Sequence, residues 1–283
     1  MRVLIDGVPV AADQATISVF DWGLMRGFGV FEVVRCYSGR PFRMEAHLDR
    51  LERSAAALEV DMPERDLLRR WIGDLAELHG HGHVRLILTG GGRDETVAAP
   101  ARAIVIWEPP VVLPNTLHLL PMAAPWHPGT DVGGFPGVKW TSYAPNMAAT
   151  DKARRAGFAD ALLISSSGVV LEGPTFTVGW VHDGRIETPS LDSGILPSIT
   201  RDVMIECADR LGIPVSQGHF PLDRMLHADE AFALSTLKQV LPIERIGEAS
   251  IELGAMTRKL ADCFGEIVAE ETGGASGMGT RYP

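Results

Sequence analysis

The sequence predicts two domains that mix helices and strands, an α+β architecture. Its 283 residues are enough to bury one large core or two small ones. The runs "HVRLILT" and "RAIVIWE" are rich in β-branched residues and flank a glycine-rich loop, so they predict a hairpin. Leu48, Leu51 and Ala55 recur every three or four residues, which predicts the buried face of a helix. Strands joined mainly by hairpins, with helices between them, favour this class over a parallel Rossmann sheet.

The domain boundaries follow from the prolines of residues 109–115. The stretch "PPVVLPN" resists both helix and central strand, because proline has no amide hydrogen to donate. We therefore predict a small first domain over 1–110, a linker over 111–116 and a larger second domain over 117–270. The tail "ETGGASGMGTRYP", residues 271–283, is predicted to be disordered.

The other elements are predicted from periodicity, turn residues and capping residues. Helices are expected over 63–78, 148–156, 198–212 and 254–268. Ser198 is a typical helix start, and Gly157 and Gly212 are typical helix stops. Strands are expected at "TLHLLPM" and "EAFALST". Two hairpins are expected in series, "ALLIS" with "VVLEG" and then "TFTVGWV" with "RIET", the second across Asp183 and Gly184.

Charge and cysteine content exclude several classes of protein. The net charge of −10 argues against nucleic acid or an anionic membrane as the main partner. The three cysteines are far apart and odd in number, which favours a reducing cytosol over a disulfide framework. No apolar run approaches the roughly 20 residues that span a bilayer. The histidines of "HGHGH" alternate without a nearby carboxylate or cysteine, so we expect no metal site. The cysteine content and the lack of a long apolar run predict a soluble, cytoplasmic protein.

The common local motifs of nucleotide, hydrolase and zinc sites do not occur. There is no Gly-x-Gly-x-x-Gly, P-loop, Gly-x-Ser-x-Gly or His-Glu-x-x-His pattern. The stretch "TGGGR" offers backbone amides and the Arg93 guanidinium to an anion, although its glycines are equally typical of a flexible hairpin loop. Arg93 therefore stays a candidate binding residue.

Lysine is rare in this chain, and one of its four lysines has unusual neighbours. Lys152 and Lys259 lie among other charged residues on helices and are expected to be solvated, while the role of Lys238 stays open. Lys139 lies between a valine and a tryptophan in "GFPGVKWTSY". Apolar and aromatic neighbours can desolvate an amine, which suits a lysine that forms a Schiff base. Packing of the lysine against the tryptophan is the alternative.

A Schiff-base lysine for pyridoxal phosphate needs two further groups, an acid for the pyridine nitrogen and a binding site for the phosphate. Glu172 ends the apolar run "VVLE" and is the candidate acid. The helix start at Ser198, Ile199 and Thr200 offers unpaired amides to an anion. Arg50 and Thr236 are further candidates for the phosphate. Taken singly, these residues are also explained as a helix cap, a surface strand residue and the polar side of a helix.

Seven segments of the sequence resemble those of one enzyme family and occur in the same order. They are "RGFGVFEVVR", "HLDRLERSA", "GVKWTSYAPNMAATDKARRAGFADALLI", "GVVLEG", "ETPSLDSGILPSITRDVMIECADRLGI", "ADEAFALST" and "LPIERI". Together they cover most of residues 1–265. The chain resembles the class IV pyridoxal-phosphate aminotransferases, which include branched-chain and D-amino-acid aminotransferases, (R)-amine transaminases and aminodeoxychorismate lyases.

The resemblance implies a fold-type IV enzyme with a small N-terminal α/β domain and a larger β-barrel-like domain. It assigns Lys139 as the Schiff-base lysine that also moves the substrate proton, and Glu172 as the partner of the pyridine nitrogen. It implies that Arg50, Thr236 and the helix start at Ser198, Ile199 and Thr200 bind the phosphate. Homodimers whose active sites are completed by partner loops are usual in the family. Two positions depart from the pattern. Thr177 replaces the usual asparagine. The family tyrosine that contacts the cofactor oxygen has no match at its usual spacing from the lysine, and Tyr143, one position closer to Lys139, is the candidate.

The substrate is predicted from "VFEVVR", which resembles the D-amino-acid aminotransferase motif "VYEVVK" more than the branched-chain motif "FEGIR". Phe31, Arg35, Arg85, Arg93 and Leu237 are the candidate substrate-binding residues, since a bidentate arginine suits an α-carboxylate. We expect a transaminase for D-amino acids, with possible use of (R)-amines and with 2-oxoglutarate or pyruvate as acceptor. The alternatives are an L-branched-chain aminotransferase, a 4-amino-4-deoxychorismate lyase and a binding protein that has lost catalysis.

Overall fold

The computed structural model describes residues 2–92, 99–127 and 135–274. Its helices are α1 (Trp22–Arg26), α2 (Met44–Leu58), α3 (Arg65–His79), α4 (Ala144–Arg155), α5 (Ile199–Arg210), α6 (Leu222–Leu226) and α7 (Ala255–Thr272). Its strands are β1 (Val3–Ile5), β2 (Val8–Val10), β3 (Gly29–Tyr37), β4 (Arg40–Pro41), β5 (Gly82–Thr89), β6 (Ala103–Glu108), β7 (Leu117–Ala123), β8 (Asp160–Ile164), β9 (Thr177–His182), β10 (Arg185–Pro189), β11 (Val215–Gly218), β12 (Glu230–Ser235), β13 (Gln239–Ile246) and β14 (Ala249–Ser250). The mixed α+β class predicted from the sequence is confirmed.

The chain divides into two compact units whose segments are not contiguous in sequence. Unit 1 contains Met1–Val112, Val138–Tyr143 and Glu271–Gly274. Unit 2 contains Leu113–Gly137 and Ala144–Glu270. The predicted domains were contiguous, and they assigned the Lys139 segment to the second domain, whereas here it belongs to unit 1. The predicted disordered tail overlaps the end of α7, and its residues from 275 onward lie outside the described part of the chain.

Unit 1 is an antiparallel sheet with two helices against one face. The strand order is β2-β1-β6-β5-β3-β4, and β5 and β6 form the predicted hairpin pair. The even-numbered residues of β3 and β5, such as Val34 and Leu86, are buried in the core with Leu48 and Leu51 of α2. These two leucines belong to the helical stripe predicted from their spacing. The odd-numbered residues of β3 project from the opposite face of the sheet.

Unit 2 is built on an eight-stranded sheet in the order β11-β10-β9-β12-β13-β7-β8, with β14 paired to β13. The hairpin β9–β10 is as predicted, and its turn residues Asp183 and Gly184 both have positive φ, which suits a tight two-residue turn. The predicted predominance of antiparallel pairing holds in part for this unit, because four strand pairs are antiparallel and three are parallel. Helices α4 and α5 provide the long crossovers that parallel pairing requires.

The segment "VVLEG" turns back against the end of β8, as predicted, although the pairing is short. The Ser165 amide donates to the Val169 carbonyl and the Leu163 amide donates to the Glu172 carbonyl, each at 2.8 Å, and Val170 forms a single bridge with Ile164. β8 also pairs in parallel with β7. Val169 bridges to Pro221 just beyond β11, so the segment contacts both end strands of the sheet or their extensions.

Within the described ranges, no helix combines the length and apolar character needed to cross a membrane. The helices begin and end within a few residues of the predicted positions. Ser198 caps α5 and Gly157 follows α4 with a φ of 83°, while α4 itself begins earlier than predicted, at Ala144.

Candidate active site

The segment around Lys139 is hydrogen bonded to strand β3 and helix α2 in unit 1. The Lys139 amide donates to Ser54 Oγ at 3.1 Å, and the Phe31 amide donates to the Lys139 carbonyl at 2.9 Å. Trp140 bridges to Val30, and its ring packs against the core of unit 1. The backbone of Lys139 is thereby fixed on both sides, which fixes the starting point of its side chain.

Two aromatic rings flank the amine of Lys139. Its Nζ lies 4.5 Å from the centre of the Phe31 ring and 5.9 Å from that of Tyr143. The two rings pack edge to face at 5.3 Å. Lys139, Phe31 and Tyr143 are each half-buried. The arrangement orients the amine and limits the water around it, while leaving it accessible to a ligand.

A buried charged cluster, Glu32 with His47 and Arg50, lies behind this segment. Arg50 donates to both oxygens of Glu32, with Nε at 2.6 Å and Nη2 at 2.8 Å, and His47 Nδ1 lies 2.8 Å from Oε2. Burial alone would raise the pKa of Glu32, but the charge and hydrogen bonds of Arg50, with help from His47, hold it far below its usual range. Arg50 is thus held in one orientation by a bidentate ion pair.

His47 is electrostatically linked to Lys139. Burial lowers the pKa of His47, Glu32 opposes this, and the positive charges of Arg50 and Lys139 lower it further. A neutral His47 that donates from Nδ1 satisfies Glu32 without adding another buried charge. His47 and Arg50 lie three residues apart on α2, so they reach the same carboxylate from one helix face.

Lowering the pH below 6.5 is expected to destabilise the protein through His47. Its folded-state pKa is below the ordinary value of 6.5, so the unfolded chain takes up this proton first. The stability is complete above pH 6.5 and falls as the pH drops toward the folded pKa, by up to about 1.4 kcal/mol per pH unit. Urea unfolding over a pH series that brackets 6.5 measures the slope. His47→Gln should show a shallower slope, with His83 supplying the remainder, and an equal slope would contradict the assignment.

In unit 2, Glu172 accepts hydrogen bonds from two directions. His127 Nε2 lies 3.0 Å from Oε1, and the Leu196 amide donates to Oε2 at 3.3 Å. The Glu172 carbonyl accepts from the Leu163 amide of β8 at 2.8 Å. Its side chain is 13% exposed, so it is a partly buried carboxylate rather than a surface strand residue.

Helix α5 begins three residues after Leu196, and its N-terminus is well suited to an anion. Ser198 accepts from the Arg201 amide at 3.3 Å, which is a helix cap. The amides of Ile199 and Thr200, in the first turn, have no acceptor within the helix because of helix geometry. Ser198, Ile199 and Thr200 are all buried. The hydrogen bond from Leu196 therefore brings Glu172 and this helix start into one neighbourhood.

Thr236 and Leu237 lie in the turn that joins β12 and β13. Ser235 pairs with Gln239 across this turn, and its Oγ accepts from the Lys238 amide at 3.1 Å. Thr177, which replaces the family asparagine, is buried at the start of β9 beside Leu234 of β12. Thr236 and Leu237 are both half-buried, so each is accessible to a ligand.

The other candidate substrate residues share one face of the unit 1 sheet. Phe31 and Arg35 lie on β3, and Arg85 lies opposite Val33 on β5, so all three project from the face opposite the helices. Arg85 donates to Glu108 at 3.0 Å through Nε, and Arg35 Nη2 lies 3.3 Å from His81 Nε2. Arg93 lies outside the described residues.

Several residues of these clusters were missed from the sequence. Glu32 and His47 stand inside the segments that carry the family resemblance, so the resemblance could have drawn attention to them. Ser54 also stands in one of these segments, whereas His127 stands in none. The partners of His127 and Ser54, Glu172 and Lys139, are 45 and 85 residues away in the chain. Such pairings are visible only after folding.

The family is shown by comparison of the sequence. The family model for amino-transferase class IV matches residues 29–246, which is most of the chain. The chain belongs to the class IV aminotransferases. It is a pyridoxal-phosphate-dependent aminotransferase with the fold-type IV architecture.

Relatives with three different names are similar to the chain over nearly its whole length. A protein of Methanocaldococcus jannaschii with a provisional branched-chain-amino-acid aminotransferase name is 31% identical, covering 94% of this chain and 96% of its own. The aminodeoxychorismate lyase of Bacillus subtilis is 29% identical, covering 88% and 87%. The D-alanine aminotransferase of Listeria monocytogenes is 30% identical, covering 96% and 98%. The solved branched-chain aminotransferase of Thermoproteus uzoniensis is 27% identical, covers 96% and 95%, and has a TM-score of 0.86.

Each unit, taken by itself, contains side chains that suit one part of pyridoxal phosphate. Unit 1 presents a half-buried amine between aromatic rings, together with a fixed arginine. Unit 2 presents a partly buried carboxylate and a capped helix start whose first amides have no intrahelical acceptor. These are an amine for an aldehyde, an acceptor for a protonated ring nitrogen and donors for a phosphate.

Proposed function

We propose that the protein is a transaminase that prefers D-amino acids, accepts (R)-amines and uses keto acids such as 2-oxoglutarate or pyruvate as acceptors. The observation that carries the preference is the stretch "VFEVVR", whose two valines after Glu32 match the D-type motif "VYEVVK", whereas the branched-chain motif "FEGIR" has glycine and isoleucine there. The aromatic residue of this stretch, Phe31, has its ring centre 4.5 Å from Lys139 Nζ. The similarity to the Listeria D-alanine aminotransferase over the whole chain supports the same conclusion.

Lys139 is the proposed catalytic residue. When bound, the cofactor supplies a ring that withdraws electrons from the substrate Cα. The amine of Lys139 would hold the cofactor through its aldehyde, and the same amine would carry the proton between the substrate Cα and the cofactor. The flanking Phe31 and Tyr143 rings keep the amine aimed and restrict water during this transfer.

The remaining cofactor contacts are proposed from the chemistry of each side chain. Glu172 accepts from the protonated pyridine nitrogen. Arg50, which Glu32 holds in place, binds the phosphate together with Thr236 and with Ser198, Ile199 and Thr200 at the start of α5. Tyr143 is the proposed contact for the cofactor oxygen.

The substrate carboxylate is proposed to bind one of three arginines. Arg35 and Arg85 lie on the Phe31 face of the sheet, and Arg93 is the third candidate. Arg85 is supported by its 30% exposure, although two of its nitrogens already contact Glu108. Arg35 is nearly buried, which would strengthen a pair with a carboxylate. Leu237, in the half-buried turn after β12, is also proposed to contact the substrate.

A second candidate is an L-branched-chain aminotransferase. The stretch His83-Val84-Arg85 retains the arginine of the branched-chain "Tyr-x-Arg" pattern, and the Methanocaldococcus relative carries a branched-chain name. A lyase that releases pyruvate from aminodeoxychorismate is supported by the Bacillus relative. All three activities would use the same lysine.

The substrate preference is tested by following the visible spectrum of the loaded enzyme with one amino donor at a time. D-alanine should convert the cofactor to its amine form at least about tenfold faster than L-leucine, since the fit of the side chain and its stereochemistry set specificity. (R)-1-Phenylethylamine should react more slowly than D-alanine, because it lacks a carboxylate for the arginine. Conversion by L-leucine alone would contradict the proposal, as would release of pyruvate from aminodeoxychorismate as the only activity.

A homodimer in the cytoplasm is proposed as the working form. An apolar surface around α1 supports self-association, since Val19 and Leu24 are 66% and 59% exposed and Phe20 and Met25 lie beside them. All three cysteines are free and buried, which is compatible with a reducing compartment.

A further inference from the structure

Glu172 is oriented by a histidine that the family resemblance does not assign. His127 Nε2 lies 3.0 Å from Glu172 Oε1, and the two side chains are only 7% and 13% exposed. The Leu196 amide occupies the other oxygen at 3.3 Å. Two donors on two oxygens fix the plane of the carboxylate, and each oxygen retains capacity to accept one further hydrogen bond.

The backbone that carries His127 is anchored to the same turn that carries Glu172. The His127 amide donates to the Ala124 carbonyl at 3.0 Å, in the turn that follows β7. The neighbouring Trp126 donates through Nε1 to Asn146 Oδ1 at 3.1 Å, and Asn146 Nδ2 donates to the Pro174 carbonyl at 3.0 Å. His127 therefore contacts the Glu172 side chain directly, while Trp126 is linked through Asn146 to the backbone at Pro174, two residues further on. These contacts fix the distance from His127 to Glu172.

The second nitrogen of His127 indicates which tautomer is present. Nδ1 is buried and has no hydrogen-bond partner among the residues that the structure describes. A proton on Nδ1 would therefore be a buried donor without an acceptor, which is unfavourable. A single proton on Nε2 satisfies both requirements, because Nε2–H donates to Glu172 and Nδ1 needs no acceptor.

We propose that His127 is a positioning residue that aims Glu172 at the pyridine nitrogen of the cofactor. It acts through Glu172 and does not itself touch the substrate. The inference rests on the proposed function, since Glu172 must be the partner of that nitrogen. A carboxylate that keeps one orientation accepts the ring N–H without first reorganising, which preserves the electron-withdrawing form of the ring.

The tautomer can be measured without any cofactor. Nitrogen-15 NMR of the full-length protein freed of cofactor distinguishes protonated from unprotonated ring nitrogens, and loss of the signal in His127→Gln assigns the residue. We expect a neutral ring with its proton on Nε2. A ring with its proton on Nδ1 would overturn the proposal, because Nε2 could then not donate to Glu172.

Two variants at the same position separate positioning from packing. His127→Leu removes the donor, whereas His127→Gln can place an amide N–H near the position of Nε2. We expect His127→Leu to lower kcat about tenfold at unchanged KM for the amino donor and to shift the visible band of the bound cofactor, in keeping with loss of a hydrogen bond to a charged group. His127→Gln should restore both. Equal defects in the two variants would indicate a packing role and overturn the proposal.

His118→Leu is the matched control, since His118 also contacts a glutamate, Glu244, at 3.2 Å but on the exposed surface near the other end of β7. It should leave kcat and the spectrum unchanged. Glu172→Gln distinguishes the two levels of the argument. If this variant keeps the native spectrum and activity, the role proposed for Glu172 is wrong; if it is impaired while His127→Leu is not, only the role of His127 is wrong.

Discussion

Replacing Lys139 with alanine is expected to reduce transamination by roughly 10³–10⁴-fold, because the variant loses the group that moves the substrate proton. The residual rate would come from binding and electrostatics alone. The effect should appear in kcat, since the lysine acts in the chemical step. Borohydride reduction of the loaded wild-type enzyme, followed by peptide mass spectrometry, should locate the cofactor on the peptide that contains Lys139.

Lys152→Ala is the control for this experiment. Lys152 is exposed on α4, so its removal should change neither the rate nor the site of attachment. A Lys139→Ala enzyme with full activity would refute the assignment of the catalytic lysine. Attachment of the cofactor at Lys238, the half-buried lysine of the β12–β13 turn, would refute it by a different route.

Replacing Glu32 with glutamine is expected to lower the free energy of unfolding by about 3–5 kcal/mol, the range for breaking a buried ion pair. Arg50 would lose its counter-ion while both side chains are nearly inaccessible to solvent. The carboxylate is ionised across the neutral range because Arg50 holds its pKa far below the ordinary value of 4.5, despite the opposing effect of burial. The wild-type contribution is therefore full above pH 4.5 and is lost only as the pH falls toward the folded pKa.

Urea unfolding at neutral pH measures this difference, and Glu45→Gln provides the comparison. Glu45 also binds two arginines, Arg65 and Arg69, but its side chain is 55% exposed. Exposed pairs contribute at most about 1 kcal/mol, because solvent screens them. Equal costs for the two substitutions would show that the buried cluster has no special role. Glu32→Gln should also bind the cofactor more weakly than the wild type if Arg50 contacts the phosphate.

Much of the local structure could be predicted from the sequence, because it depends on neighbours in the chain. The stripe through Leu48 and Leu51 specifies α2, Ser198 specifies the start of α5, and Asp183-Gly184 specifies the β9–β10 turn. These features need only periodicity, a capping oxygen and residues that tolerate positive φ. The pairing of β7 with β8 and β13 could not be predicted, since parallel register depends on how separate crossovers pack.

The candidate site divides in the same way. Lys139, Glu172 and Arg50 stand in segments with recognisable residue patterns, so their residue types and order were sufficient to propose chemistry. Their partners were not predictable. Glu32 and His127 contact partners that lie 15 residues or more away in the chain, and no spacing rule predicts contacts over such separations.

The sequence by itself determined the class of the protein, because residue patterns in a fixed order carry the family resemblance. It also proposed Lys139 and the helix start at Ser198 as cofactor-binding groups. Only the tertiary structure decided what surrounds them. Burial brought Glu32, His47 and Arg50 into one charged cluster, and the turn after β7 brought His127 to Glu172. Burial and long-range hydrogen bonds depend on the packing of distant segments. They keep Glu32 ionised and hold the side chains of Arg50 and Glu172 in one orientation.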